Sequence, residues 1–136
     1  YAQLLEKINK ALDDRKPDTI TFLWMQGERD AREGNGDVYA DSLKGVVSQL
    51  KEDLHWDDIA VVIGRLSDYG IARTDVPDWN LVRETQVSLA EANPRWEWVD
   101  TDDLNGPDND LHLTKDGYRI LGERFAEAAL KLLANQ

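Results

Sequence analysis

Apolar residues recur along this chain in two alternating rhythms. Leu4, Leu5, Ile8, Ala11 and Leu12 step by three and four, the period of a helix with one buried stripe, and Pro17 stops it. Residues 19–24 (TITFLW) are β-branched and aromatic without a charge, the pattern of a strand covered on both faces. A second helix is expected over residues 37–53, with Tyr39, Leu43, Val46, Val47, Leu50 and Leu54 as its stripe. Asp37 is its expected N-cap after the Gly34-Asn35-Gly36 turn. A second buried strand follows at residues 59–63. Val82, Thr85, Gln86, Leu89 and Ala90 mark a third helix, ended by Asn93-Pro94 before a short strand at residues 96–99. After an acidic loop, Thr114 is a good N-cap for a last helix carrying Tyr118, Leu121, Gly122, Phe125, Ala129 and Leu132 on one face.

Buried strands alternating with amphipathic helices predict an α/β fold of three layers, α/β/α, around a parallel sheet. The 136 residues suffice for one domain with one core, so the whole chain, 1–136, is read as a single domain. Three strands are few for a parallel sheet. The expectation is therefore a doubly wound domain whose N-terminal strands lie outside this chain, leaving the first strand at an open edge.

Composition narrows the partners. A formal net charge of −11, with lysines and arginines scattered among acids, repels a phosphate backbone, and no nucleic acid partner is expected. No apolar run is long enough to span a bilayer, so no membrane partner is expected either. The absence of cysteine excludes disulfides and thiolate metal sites; it leaves the compartment undecided, secreted and periplasmic locations included.

In open parallel sheets ligands bind beyond the carboxyl ends of the strands, and the three segments there, residues 25–30, 64–68 and 100–112, are all polar. They are expected to converge on one rim. Of the two histidines, His55 falls at the opposite end of the sheet and reads as structural. His112 falls at the rim with Asp108 and Asp110 close by in sequence, the pairing that orients an imidazole as a general base; the plainer reading is a surface histidine in an acidic turn. Trp24, Trp79, Trp96 and Trp98 are read as core rather than as stacking platforms for a sugar. An EF-hand register over residues 101–112 lacks its leading acid and its closing glutamate, so no metal and no other cofactor is expected.

The strings WMQGERDA, VRETQ and DNDLHLTKDGYRILGERFA, in this order, resemble the SGNH hydrolases, in the branch of sialate O-acetylesterase-like and acetylxylan-esterase-like carbohydrate esterases. The resemblance covers nearly the whole chain. It implies a flavodoxin-like fold and a Ser-His-Asp triad whose serine follows the first strand in a Gly-Asp-Ser or Gly-Gln-Ser motif. No such motif occurs here. Ser42, Ser48 and Ser88 fall in helices, while Ser67 lies at the rim without a nucleophile-elbow pattern, as a substrate contact or a turn residue. The chain thus reads as the C-terminal part of an SGNH-type esterase domain, inactive alone, that joins an N-terminal segment of the same protein carrying the serine.

On this reading His112 is the base and Asp110 its orienting acid, with Asp108 the alternative; the position three before the histidine, where the family commonly has its acid, holds Asn109. The oxyanion donors are the Gln26 amide and the Gly27 N–H, since an ionised Glu28 only accepts hydrogen bonds and is free to pair with Arg29 or Arg65. Glu28, Arg65, Ser67, Arg83 and Gln86 complete the candidate substrate-binding set, Arg83 and Gln86 matching the family's Arg-x-x-Gln stretch. The expected reaction is removal of acetyl groups from an acetylated carbohydrate. The alternative is a degenerate, non-catalytic module that binds sugar or a partner.

Overall fold

The computed structural model describes residues 1–13 and 15–134. Its elements are α1 (Ala2–Leu12), β1 (Ile20–Trp24), α2 (Glu28–Glu33), α3 (Gly36–Leu54), β2 (Ile59–Gly64), a 3₁₀ turn (Asp68–Gly70), α4 (Trp79–Glu91), β3 (Trp96–Val99) and α5 (Lys115–Ala134). The strands form one parallel sheet in the order β1-β2-β3. Ile20 lies beside Ile59 and Trp24 beside Ile63, while Val61 faces Trp96 across the second pairing. The α/β/α arrangement read from the alternation of elements, flavodoxin-like as the resemblance implies, is the one observed.

Successive strand residues point to opposite faces, and β2 shows this without exception. Ile59, Val61 and Ile63 enter a core shared with Tyr39, Leu43, Val47 and Leu50 of α3 and with Trp79, Val82 and Ala90 of α4. Ala60 and Val62 face the other way, onto Leu121, Phe125, Ala128 and Leu132 of α5. Ile20, Phe22 and Trp24 of β1 join the first core. Its alternate residue Leu23 is 49% exposed, because α5 packs on β2 and β3 and leaves the second face of β1 open. The expectation that β1 is covered on both faces is corrected accordingly: an apolar run shows only that both faces tolerate burial.

Local chemistry places the helix ends. Arg15 folds back to donate to the carbonyls of Ala11 and Leu12, finishing α1. The N-terminus of α3 differs from expectation: it starts at Gly36, whose N–H is captured at 2.8 Å by Asp78 from across the first core, so Asp37 is not its cap. At α5 the expected cap is present, Thr114 Oγ1 accepting from the Gly117 N–H at 2.9 Å. The buried stripe of α5 is Gly117, Leu121, Phe125, Ala128 and Leu132, which turns Tyr118 and Gly122 outward and corrects the face assigned to them.

Candidate functional site at the carboxyl ends of the strands

The three polar segments after the strands gather at one end of the sheet, tied by side chains. Gln86 of α4, fully buried, accepts from the Leu66 N–H at 2.8 Å and donates to the Gln26 carbonyl at 3.0 Å, joining the loop after β2 to the loop after β1. Thr101, also fully buried, donates to the Arg65 carbonyl at 2.6 Å and joins the loops after β2 and β3. Asp102 reinforces that junction. It accepts from Arg83 through both carboxylate oxygens, at 2.7 and 3.0 Å, and from Arg65 at 2.7 Å.

Arg65 also holds Asp100 at 2.6 Å and lies over the Trp98 ring, 4.9 Å from its centre. Partial burial opposes ionisation of Asp100, but the Asp102 N–H and the Arg65 guanidinium outweigh it and hold its carboxyl below the usual range. Removing Asp102 leaves two largely buried guanidiniums short of an acceptor. Asp102→Ala is expected to lower stability by about 2 kcal/mol, less than a fully buried pair because a third of the Asp102 side chain is exposed. Urea unfolding reads this; a midpoint equal to that of the unaltered chain would show the bridge to be inert.

The segment bearing His112 is closed at its base, where the Thr114 N–H donates to the Leu104 carbonyl at 3.0 Å. Buried Asn105 ties it inward, donating to Ser67 Oγ at 3.4 Å and to the Asn109 side chain. Asn109 has a left-handed backbone, φ +49°. Asp103 anchors the loop's start through a two-pronged pair with Arg124 of α5, both contacts 2.7 Å. His112, Asp108 and Asp110 are exposed, and His112 forms no hydrogen bond with either acid among the described residues. Its neighbour Leu111 shares a cleft of about 270 Å³ with Glu28, Arg29, Tyr69 and Trp79, so the histidine segment and the start of α2 border one hollow.

The remaining candidates are placed as follows. Ser67 is 3% exposed and caps the 3₁₀ turn, accepting from the Tyr69 N–H at 3.4 Å. The Gln26 amide donates to Asp30 at 2.5 Å. Gly27 has φ +149°, and a Cβ there would meet Val82 Cγ1 at 2.9 Å, so only glycine fits. Glu28 lines the cleft and pairs with neither Arg29 nor Arg65: Arg29 binds Glu33, and Arg65 binds Asp100 and Asp102. No group of three or more His, Asp or Glu suited to a metal ion occurs among the described residues.

A family model described as carbohydrate esterase, sialic acid-specific acetylesterase, matches residues 1–131. The chain belongs to this carbohydrate esterase family. Its fold is also similar to the crystal structure of a protein from Arabidopsis thaliana, with a TM-score of 0.78 at 21% identity. That similarity covers 96% of this chain and 52% of the other, so this esterase-family chain spans about half the length of the plant protein. No curated protein matches it in sequence.

One residue that periodicity marked only as core has a polar role at this rim of the esterase-family chain. Tyr39 of α3 is 3% exposed; its hydroxyl donates to the Gln26 carbonyl at 2.8 Å and accepts from Trp24 Nε1 and Gln86 Nε2, each at 3.0 Å. Burial pushes its pKa up to about 12, against partial lowering by the donors Trp24 and Gln86. In the unfolded chain the phenol ionises near its ordinary value of 10.0. Between these values the folded state binds more protons, so stability is full below pH 10 and falls as pH rises toward 12, at about 1.4 kcal/mol per pH unit. Denaturant unfolding at stepped alkaline pH reads the slope, and Tyr39→Phe should flatten it.

Proposed function

We propose that the complete protein removes acetyl groups from a carbohydrate by acyl transfer through a serine supplied by a segment N-terminal to this chain. The observation that carries the reading is the family match across residues 1–131. It is supported by the position of the His112 segment beside the cleft that Glu28 lines, next to Gly27. In this scheme the serine oxygen attacks the acetyl carbonyl while His112 takes its proton, and His112 returns that proton to the departing sugar hydroxyl. Asp110 steadies the imidazolium. Gln26 and the Gly27 N–H stabilise the oxyanion alongside donors from the serine's own segment. Arg83 and Gln86, both buried and bonded across loops, serve this site by holding its backbone in place.

A second reading, a module that binds without chemistry, is favoured by one observation. Ser67 is a buried turn cap, and Ser42, Ser48 and Ser88 sit on helix surfaces, so no serine of this chain is a ready nucleophile. The natural protein separates the two. Labelling of a serine outside residues 1–136 by a fluorophosphonate probe, with hydrolysis of an aryl acetate, supports the esterase; neither occurring in the complete, folded protein leaves the binding module.

A further inference from the structure

The Gln26 carbonyl accepts two buried donors at once, Tyr39 Oη at 2.8 Å and Gln86 Nε2 at 3.0 Å. A trans peptide is planar with its C=O and N–H pointing in opposite directions, so a carbonyl drawn toward α3 and α4 turns the following N–H, that of Gly27, away from them. Among the described residues that N–H has no acceptor. The two donors are themselves fixed. Gln86 Oε1 is engaged by the Leu66 N–H, and Nε2 donates to both Gln26 O and Tyr39 Oη, so a half-turn of the amide would break all three bonds. The one hydroxyl hydrogen of Tyr39 goes to Gln26 O, while Trp24 Nε1 and Gln86 Nε2 supply its oxygen with donors. A buried network with every group satisfied admits one arrangement.

We propose that Tyr39 and Gln86 are positioning residues that orient the Gln26–Gly27 peptide and present the Gly27 N–H as a fixed donor to a developing oxyanion. The oxyanion part rests on the esterase reading above; the orientation does not. A donor held in place before reaction needs no reorganisation as charge develops, which is where such donors have their effect.

Backbone amide relaxation and solvent exchange on the 136-residue chain test the orientation. In the unaltered chain the Gly27 amide, buried and without an acceptor among the described residues, should move as rigid backbone, with an order parameter of about 0.85. In Tyr39→Phe and Gln86→Leu the order parameter at Gly27 should fall below about 0.6 while the amides of β2 stay protected. A Gly27 amide that is mobile in the unaltered chain, or equally rigid in both folded variants, overturns the proposal; if neither variant folds, the unaltered chain decides. In the complete protein the same variants should lower kcat by on the order of 10²-fold with KM little changed. Loosening of Gly27 with undiminished turnover would keep the orientation and refute the oxyanion role.

Discussion

His112→Ala in the complete protein should lower aryl acetate turnover by roughly 10⁶-fold, the loss that follows when a serine hydrolase is deprived of its general base. A serine hydroxyl at neutral pH is a poor nucleophile, and only a base within reach of its proton changes that. His55, the other histidine, is not placed to substitute: it ends α3 in a left-handed conformation at the opposite end of the sheet. The acids are told apart by the same assay. Asp110→Asn should cost roughly 10⁴-fold, as loss of the orienting carboxylate does, while Asp108→Asn should leave turnover within about threefold. The reverse order would exchange their roles, and a His112→Ala loss of less than about tenfold would remove the histidine from the mechanism.

Gly117→Ala should destabilise the fold by about 3 kcal/mol, although alanine is the better helix former. Gly117 lies in the first turn of α5 against the loop that carries His112, and a Cβ there would sit 2.0 Å from the Leu104 carbonyl oxygen. That oxygen is backbone and accepts from both the N–H and the hydroxyl of Thr114, so it has little freedom to move aside. Gly122→Ala on the same helix meets nothing within 4 Å and should stabilise by about 1 kcal/mol. Thermal unfolding should place the two midpoints on opposite sides of the unaltered chain, with Gly117→Ala lower by about 10 °C. A Gly117→Ala chain as stable as its parent would mean that α5 is not seated on Leu104.

Much of this architecture is legible in the sequence because burial leaves a periodic mark. The uncharged run of β2 and the stripe of α3 identify themselves, and Thr114 announces α5 by a local hydrogen bond. The short helix α2 is hidden, since ERDARE offers one buried position, Ala31, and so carries no stripe. At the site, the gathering of three loops follows from topology, but the ties that hold them do not. Tyr39 and Gln26, Gln86 and Leu66, and Asp102 and Arg83 are joined across 13 to 20 residues, and nothing local in the chain records those partnerships. Arg83 and Gln86 are visible as a pair one helical step apart; that both are buried, and spend their hydrogen bonds on backbone, on Asp102 and on the Tyr39 hydroxyl, is visible only once the helix is docked.

The strand order also bears on how the molecule is made, because β2 bonds to β1 and β3 bonds to β2, so β2 and β3 each meet, on leaving the ribosome, a partner strand already synthesised. α5 emerges after these three strands and closes over β2 and β3 together, so they can pair in the direction of translation before that helix covers them.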